Sequence, residues 1–319
     1  MKPLTRPPLD VELAIIESML PESPPLDKAT FPHALREHVQ TLPRPDMPSI
    51  EGISIKDIRV DTACGVLGLR IISPDSPRAG RSCMFWIHGG GYIMGSAFQP
   101  DPRLMEWVEL LDCVLVSVDY GLAPEYQYPA PLEHCYAGLQ WTAANADSLG
   151  FDPEKLAIAG ISAGAGLCAA LAILARNRGE ITPCFQLLIY PMIDDRGITG
   201  SSQFDDAPIW FREINELSWD SYLGDDHLRA DLPITAAPAR ATVEQLKGLP
   251  PTFINVGTCD IFCDENIAYA TALLAAGVPT ELHVYAGGFH GFDALMAHTK
   301  IAQTFNRDVD EALIRVLGR

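Results

Sequence analysis

The apolar residues of this chain form short runs that alternate with longer segments of helical spacing. Apolar runs bounded by Gly, Pro or Asp are typical of buried strands. They cover residues 55–60, 65–72, 81–87, 113–118, 155–159, 185–190, 252–256 and 280–285. Apolar residues three and four positions apart predict helices over residues 102–111, 131–147, 167–176, 265–276 and 301–317.

This alternation predicts the fold class. Hydrophobic strands separated by helices of ten or more residues form mostly parallel sheets with helices on both faces. We therefore predict an α/β protein with a doubly wound, mostly parallel sheet of eight strands, in which the first two strands form a hairpin. Right-handed crossovers place the loops after the parallel strands at one edge of such a sheet, where ligands bind.

Two segments interrupt the alternation. Residues 1–50 are rich in proline and contain two short helix-like stretches, over residues 10–20 and 31–42, which are too small to form a core. We predict that they form a helical cap segment. Residues 194–249 form an acidic insertion whose aromatic residues fit either a small satellite core or a lid over the site. The catalytic domain would then comprise residues 51–193 and 250–319.

Charge and cysteine content narrow the range of partners. The formal net charge of −18 argues against nucleic acids and anionic membranes, and leaves neutral or cationic small molecules. No apolar run reaches the ~20 residues of a membrane span. The eight cysteines lack metal-ligand spacing, so we expect reduced thiols, a cytoplasmic location, no metal and no cofactor.

One pentapeptide suggests chemistry. Gly160-Ile161-Ser162-Ala163-Gly164 lies between a predicted strand and a predicted helix. In this context G-x-S-x-G is a nucleophile elbow, a turn so tight that the residues around the serine must be small. The pentapeptide alone would also fit a glycine-rich turn without chemistry. Further residues must therefore supply a base, an acid and an oxyanion hole.

The loops after the last two strands supply the base and the acid. His290 lies in a glycine-rich loop directly after the last strand. The other histidines lie in predicted helices, a strand, the cap segment or the insertion, or directly before the glycine run at 89–91. The preceding loop contains Asp260 and Asp264. Asp264 also fits a helix N-terminal acid, and we favour Asp260 because it is nearer the end of the strand. The order Ser162, Asp260, His290 is that of α/β-hydrolases.

A glycine run supplies the remaining part. His88-Gly89-Gly90-Gly91 follows the third predicted strand. Glycines let the backbone turn its amides toward a developing negative charge, so we predict an oxyanion hole formed by the N–H groups of Gly89, Gly90 and Ala163. A flexible turn or a phosphate loop is the alternative, but no nucleotide-binding pattern accompanies the run.

Together these motifs resemble the hormone-sensitive-lipase-like carboxylesterases, the bacterial family IV esterases of the α/β-hydrolase fold. The resemblance extends from about residue 50 to the C-terminus. The matching segments are residues 88–91 (HGGG), 119–125 (DYGLAPE), 128–133 (YPAPLE), 160–164 (GISAG), 260–265 (DIFCDE) and 290–292 (HGF). The resemblance implies an N-terminal helical cap and hydrolysis of short- to medium-chain acyl esters through an acyl-enzyme. It also implies that the first acid of the 260–264 pair is catalytic.

Two positions depart from the family pattern. Ile161 stands where the family usually has an acidic or polar residue, and Gly121 stands where arginine is usual. These changes concern the surroundings of the site and its substrate preference, not the type of reaction. We predict that Tyr92, Ile161, Phe211 and Phe292 contact the substrate.

Other functions use the same machinery. An amidase, a formamidase or a lactonase needs the same three residues, because they do not determine the leaving group. A non-catalytic ligand-binding scaffold is a further alternative, although such proteins usually lack one of the three. The resemblance also suggests a homodimer formed through the edge of the last strand.

Overall fold

The computed structural model describes residues 5–20, 30–41, 46–224 and 227–318. In this part of the chain, eight strands form one sheet in the order β1-β2-β4-β3-β5-β6-β7-β8. The strands are β1 (Ile53–Thr62), β2 (Gly65–Pro74), β3 (Arg81–Ile87), β4 (Val114–Asp119), β5 (Phe151–Ile161), β6 (Gln186–Ile189), β7 (Thr252–Gly257) and β8 (Thr280–Tyr285).

The sheet is parallel except at one edge. β1 and β2 form an antiparallel hairpin, and β2 lies antiparallel to β4. From β4 through β3, β5, β6 and β7 to β8, every pair is parallel. The predicted doubly wound, mostly parallel sheet of eight strands is therefore confirmed, and the carboxyl ends of its parallel strands meet at one edge.

Helices cover both faces of the sheet. The helices are α1 (Ile16–Met19), α2 (Phe31–Thr41), α3 (Pro102–Leu111), α4 (Ala130–Ala144), α5 (Ala146–Leu149), α6 (Ala163–Arg178), α7 (Arg212–Leu223), α8 (Val243–Leu246), α9 (Cys263–Ala275), α10 (Phe292–Leu295) and α11 (Lys300–Leu317). Side chains of α4, α6 and α9 form the core on one face. Those of α3 and α11 form the core on the other face. None of the helices within the described ranges is long and apolar enough to span a membrane.

Several element boundaries differ from the predictions. The helix predicted over 131–147 is two helices, α4 and α5, with a break at Asn145. The stretch 10–20 contains only the single turn α1, and Leu42, the predicted end of the second stretch, lies outside the described residues. β5 begins four residues before the predicted 155, because Phe151 pairs with Arg81 beyond a bulge in the register.

Candidate active site

Ser162 lies at the sharp turn from β5 into α6. Its backbone has φ 56° and ψ −122°, a region that residues other than glycine rarely adopt. Small neighbours make the turn possible: a Cβ on Gly160 would lie 2.4 Å from the Gly164 oxygen, and one on Gly164 would lie 2.2 Å from the Ile87 oxygen. Hydrogen bonds from the Ser162 amide to the Ile189 oxygen, 2.9 Å, and around the first turn of α6 hold the serine in place.

Three predicted residues lie in one hydrogen-bonded line. His290 Nε2 is 3.0 Å from Ser162 Oγ, and His290 Nδ1 is 2.7 Å from Asp260 Oδ2. All three are buried, with exposed fractions of 7% for Ser162, 8% for His290 and 0% for Asp260. The second carboxylate oxygen of Asp260 accepts a bond of 3.0 Å from the Phe262 amide. A hydroxyl, an imidazole and a carboxylate in this order can activate the hydroxyl as a nucleophile.

Asp264, the competing acid, has another partner. Its Oδ2 accepts a hydrogen bond of 2.8 Å from the Ser201 amide, and its own amide donates to Ser201 Oγ at 3.0 Å. Asp264 lies in the first turn of α9, where a carboxylate is favoured by the helix dipole. It therefore joins α9 to the 194–249 insertion, while Asp260 contacts His290.

The glycine run lies beside the serine. A Cβ on Gly89 would lie 3.3 Å from the Cβ of Ser162. Gly90 has φ +117°, and its carbonyl accepts hydrogen bonds from the amides of Ile93 and Met94 at 3.0 and 2.9 Å. Ala163 is the first residue of α6, so its amide is one of the helix donors that have no acceptor within the helix. Backbone amides from two elements thus border Ser162.

His88 holds the base of this loop. Its Nδ1 is 2.8 Å from the Gly89 oxygen, and its ring stacks on Tyr120 with the centroids 4.2 Å apart. Burial lowers the pKa of His88, which favours the neutral imidazole. The Tyr120 hydroxyl donates to the His88 oxygen at 3.0 Å. His88 is thus part of the support of the loop and makes no contact with the Ser162 line.

Two of the residues that we predict to contact the substrate are packed in the core. Tyr92 is 1% exposed, its hydroxyl donates to the Met192 oxygen at 2.7 Å, and its ring stacks on Tyr222. Phe292 is fully buried against Phe305, with ring centroids 5.1 Å apart. Both rings are enclosed by other side chains of the core.

The other two predicted contacts are partly exposed. Ile161 lines a cavity of about 290 Å³ together with Gly89 and Gly90 of the glycine loop and Val39 of α2. Phe211 precedes α7 and packs against the core at its edge. Ile161 therefore lies at a position from which it can contact a substrate beside Ser162.

Three aromatic rings that were not predicted as site residues surround His290. The ring centroids of Tyr190, Phe262 and Trp210 lie 4.6, 5.2 and 6.2 Å from that of the imidazole. Trp210 belongs to the insertion and also fills the space beside Gly91, where a Cβ would lie 2.3 Å from the indole. The available signals were the position of Tyr190 at the end of a predicted strand and that of Phe262 two residues after Asp260.

No metal site accompanies these residues. Among residues 5–20, 30–41, 46–224 and 227–318, no group of three or more His, Cys, Asp or Glu side chains is arranged to hold a metal ion.

The fold and the serine–histidine–aspartate line together define a hydrolase of the α/β-hydrolase class. Comparison with known proteins agrees, since the family described as having the alpha/beta hydrolase fold matches residues 84–294. The chain belongs to this family, within its hormone-sensitive-lipase-like branch of carboxylesterases.

Similar proteins include esterases of Mycobacterium tuberculosis. Esterase LipI is 36% identical over 264 residues, which cover 81% of this chain and 80% of LipI. Carboxylesterase NlhH is 37% identical over 227 residues, 70% of each protein. Among solved structures, a bacterial heroin esterase superposes with a TM-score of 0.87 at 36% identity, covering 98% of each chain.

Proposed function

We propose that this chain is a serine carboxylesterase that hydrolyses short- to medium-chain acyl esters, with Ser162 as its nucleophile. The observation that carries the proposal is the line from Ser162 Oγ through His290 to Asp260, with distances of 3.0 and 2.7 Å. The relatives are named for ester hydrolysis, so the amide- and lactone-hydrolysing alternatives are not favoured.

In the first half of the reaction, His290 Nε2 takes the proton of Ser162 Oγ as that oxygen attacks the ester carbonyl carbon. The Asp260 carboxylate accepts a hydrogen bond from His290 Nδ1–H and stays ionised, which fixes the useful tautomer and stabilises the imidazolium. The carbonyl oxygen becomes negatively charged, and the amides of Gly89, Gly90 and Ala163 stabilise it. Each such donor typically lowers the barrier by ~2.7–4 kcal/mol.

In the second half, His290 gives its proton to the departing alkoxide, which leaves as the alcohol while Ser162 keeps the acyl group. A water molecule then attacks the acyl-enzyme, and His290 takes one of its protons. Collapse of the second tetrahedral intermediate releases the carboxylic acid and returns the proton from His290 to Ser162 Oγ.

The cap segment and the insertion shape the pocket in this proposal. Val39 of the cap segment lines the cavity beside the glycine loop. Trp210 of the insertion lies over His290 and Gly91. We therefore assign residues 1–50 and 194–249 to the cap, and residues 51–193 and 250–319 to the catalytic domain. A homodimer through β8 remains part of the proposal, supported by the position of that strand at the end of the sheet.

The Ser162→Ala variant tests the nucleophile directly. We expect hydrolysis of a short p-nitrophenyl acyl ester to fall by at least about a thousandfold, because loss of a nucleophile of this kind removes covalent catalysis. A fluorophosphonate should label the parent protein and leave the variant unlabelled. Ser148→Ala, at an exposed serine whose hydroxyl contacts only a local carbonyl, should behave like the parent. Turnover by Ser162→Ala within about tenfold of the parent would refute the assignment.

A further inference from the structure

Tyr190 and Asp293 form a buried pair directly beside His290. The Tyr190 hydroxyl donates a hydrogen bond of 2.9 Å to Asp293 Oδ1, and both side chains lie in the core. The Tyr190 ring meets the His290 imidazole edge-on, at 65° between the ring planes and 4.6 Å between centroids. This tyrosine therefore touches the imidazole with its ring and the carboxylate with its hydroxyl.

The backbone around the pair fixes its geometry. Tyr190 has a positive φ of 33°, unusual for a residue with a side chain, and its amide donates to the Asn255 oxygen at 2.9 Å. Asp293 lies in the first turn of α10, three residues after His290, and its carbonyl accepts a bond of 3.1 Å from Asn306 of α11. Two contacts thus hold the loop that carries His290. The imidazole of His290 binds Asp260, and Asp293 binds Tyr190.

We propose that Tyr190 and Asp293 are positioning residues for the imidazole of His290, and that the Asp293 carboxylate adds to the stabilisation of its charged form. The ring of Tyr190 limits the rotation of the imidazole, so Nε2 stays within reach of Ser162 Oγ. The carboxylate places a second negative charge near the imidazolium that forms in each half-reaction. In the low dielectric of a buried site, such a charge acts over several ångströms.

The charged groups around Asp293 come from several elements. His290 and Arg103 of α3 favour the carboxylate form, and the Tyr190 hydroxyl does so by its hydrogen bond. Burial opposes them and raises the pKa of Asp293. The pKa of Asp101, which precedes α3, is raised to about 6, chiefly by burial and in part by Asp293. Asp293 therefore acts as an anion only above its own raised pKa.

This inference rests on the proposed role of His290 as the base. The Ser162→Ala experiment tests the nucleophile that His290 would activate and does not touch the pair, so the two proposals can fail separately. If Ser162→Ala abolishes turnover and the variants below behave like the parent, only the positioning role is lost.

Two conservative variants test the pair, and a second tyrosine–aspartate pair supplies controls. Tyr190→Phe keeps the ring and loses the hydrogen bond to Asp293; Asp293→Asn keeps the shape and loses the charge. Tyr285 donates a hydrogen bond of 2.7 Å to Asp308 on the same face of the sheet, and neither residue touches the Ser162 line. Tyr285→Phe and Asp308→Asn are therefore matched controls for folding and for loss of a tyrosine–carboxylate bond.

We expect kcat to fall about tenfold in Tyr190→Phe, because the hydrogen bond to Asp293 no longer holds the ring against the imidazole. KM should change less than about twofold, since the ground-state contacts with substrate are unchanged. In Asp293→Asn the acid limb of the kcat/KM profile should move to lower pH by about half a unit. The reason is that a nearby anion favours the protonated imidazole, and its removal makes that imidazole easier to deprotonate. Both controls should keep the kcat and the acid limb of the parent.

A purely structural role predicts a different result. In that case the thermal midpoints of Tyr190→Phe and Tyr285→Phe fall alike, and the acid limb of Asp293→Asn does not move. Parent-like kcat in Tyr190→Phe together with an unmoved acid limb in Asp293→Asn would overturn the proposal. Active-site titration with a fluorophosphonate corrects kcat for any fraction that fails to fold.

Discussion

Two glycines determine how the backbone turns at Ser162. Gly160 and Gly164 are needed for space, because a Cβ on either would collide with backbone atoms that cannot move independently. In particular, a Cβ on Gly164 would meet the oxygens of both Ile87 and His88, at 2.2 and 2.3 Å, where β3 enters the glycine loop. The packing of Gly164 therefore connects the nucleophile turn to the predicted oxyanion hole.

Gly164→Ala should displace the nucleophile turn at Ser162 relative to the glycine loop, because the added Cβ would meet the oxygens of Ile87 and His88. We expect kcat to fall at least about a hundredfold, since displacement of reacting groups by about 1 Å has that effect. The free energy of unfolding should decrease by ~1–3 kcal/mol from overpacking. The control is Gly277→Ala, where φ is +80° and a Cβ would meet nothing within 4 Å. It should lose ~1–2 kcal/mol from backbone strain and keep its kcat. Equal kcat values for the two variants would contradict this account.

At the scale of residues, the sequence was informative where chemistry follows from chain position. Ser162, Asp260 and His290 could be predicted because the loops after parallel strands share one edge of the sheet. Tyr92 and Phe292 were predicted to contact substrate, whereas both rings pack in the core, because proximity to a motif does not reveal which way a ring points. Tyr190 was missed for a related reason: its ring reaches His290 through a positive φ that only the folded chain defines.

At the scale of elements, Arg36 joins α2 to the catalytic domain by hydrogen bonds and an ion pair. Arg36 donates hydrogen bonds to the carbonyl oxygens of Ile93 and Ala123, and it pairs with both carboxylate oxygens of Glu125 at 2.6 and 2.8 Å. The hydrogen bond from Arg36 lowers the pKa of Glu125 to about 2. Val39, one turn further along α2, lines the cavity beside the glycine loop. The position of α2 thus sets one wall of that cavity.

Arg36→Ala should change substrate preference more than catalytic power. With its anchor lost, α2 moves more freely, and we expect the ratio of kcat/KM for an eight-carbon to a two-carbon acyl ester to rise about fivefold. A change of that size corresponds to the packing of one or two methylene groups. The measurement is a panel of p-nitrophenyl esters of increasing acyl length. Arg307→Ala removes an arginine with only surface ion pairs on α11 and should leave the profile unchanged. A uniform decrease across the panel would argue against a pocket role for α2.

The predicted elements were most accurate where apolar periodicity alone decides the structure. β3 and α3 have the predicted bounds. Every residue of the strand β3 is buried within the sheet, and α3 packs its apolar residues against the sheet. The insertion could not be resolved into elements, since α8 is a single turn and the fold of this segment depends on tertiary contacts. For example, Arg240 binds both carboxylate oxygens of the buried Asp195 at 2.7 Å, a pairing across 45 residues that no local pattern reveals.

At the scale of the whole molecule, a buried carboxyl joins the start of the insertion to α9. Glu265 of α9 is 3% exposed, and its Oε1 accepts hydrogen bonds from the amides of Ile193 and Asp194 at 2.9 and 3.2 Å. Burial, with the nearby Asp194, raises the pKa of Glu265 well above its usual value. The molecule also carries a formal net charge of −18, so each further ionisation at neutral pH adds to self-repulsion.

Glu265→Gln should therefore change how stability depends on pH. The native state holds the Glu265 proton more tightly than the unfolded state does. Stability from this group is thus fully present below the unfolded pKa and is lost as pH rises through the folded pKa. Glutamine keeps an acceptor for both amides and cannot ionise. The free energy of unfolding of the variant minus that of the parent should rise between pH 5 and pH 8, by at most ~1.4 kcal/mol per pH unit. Urea unfolding at several pH values measures this difference. The control is Glu154→Gln, at an exposed glutamate, for which the difference in free energy of unfolding from the parent should be the same at every pH. A flat difference for Glu265→Gln would show that this carboxyl titrates alike in the folded and unfolded chains.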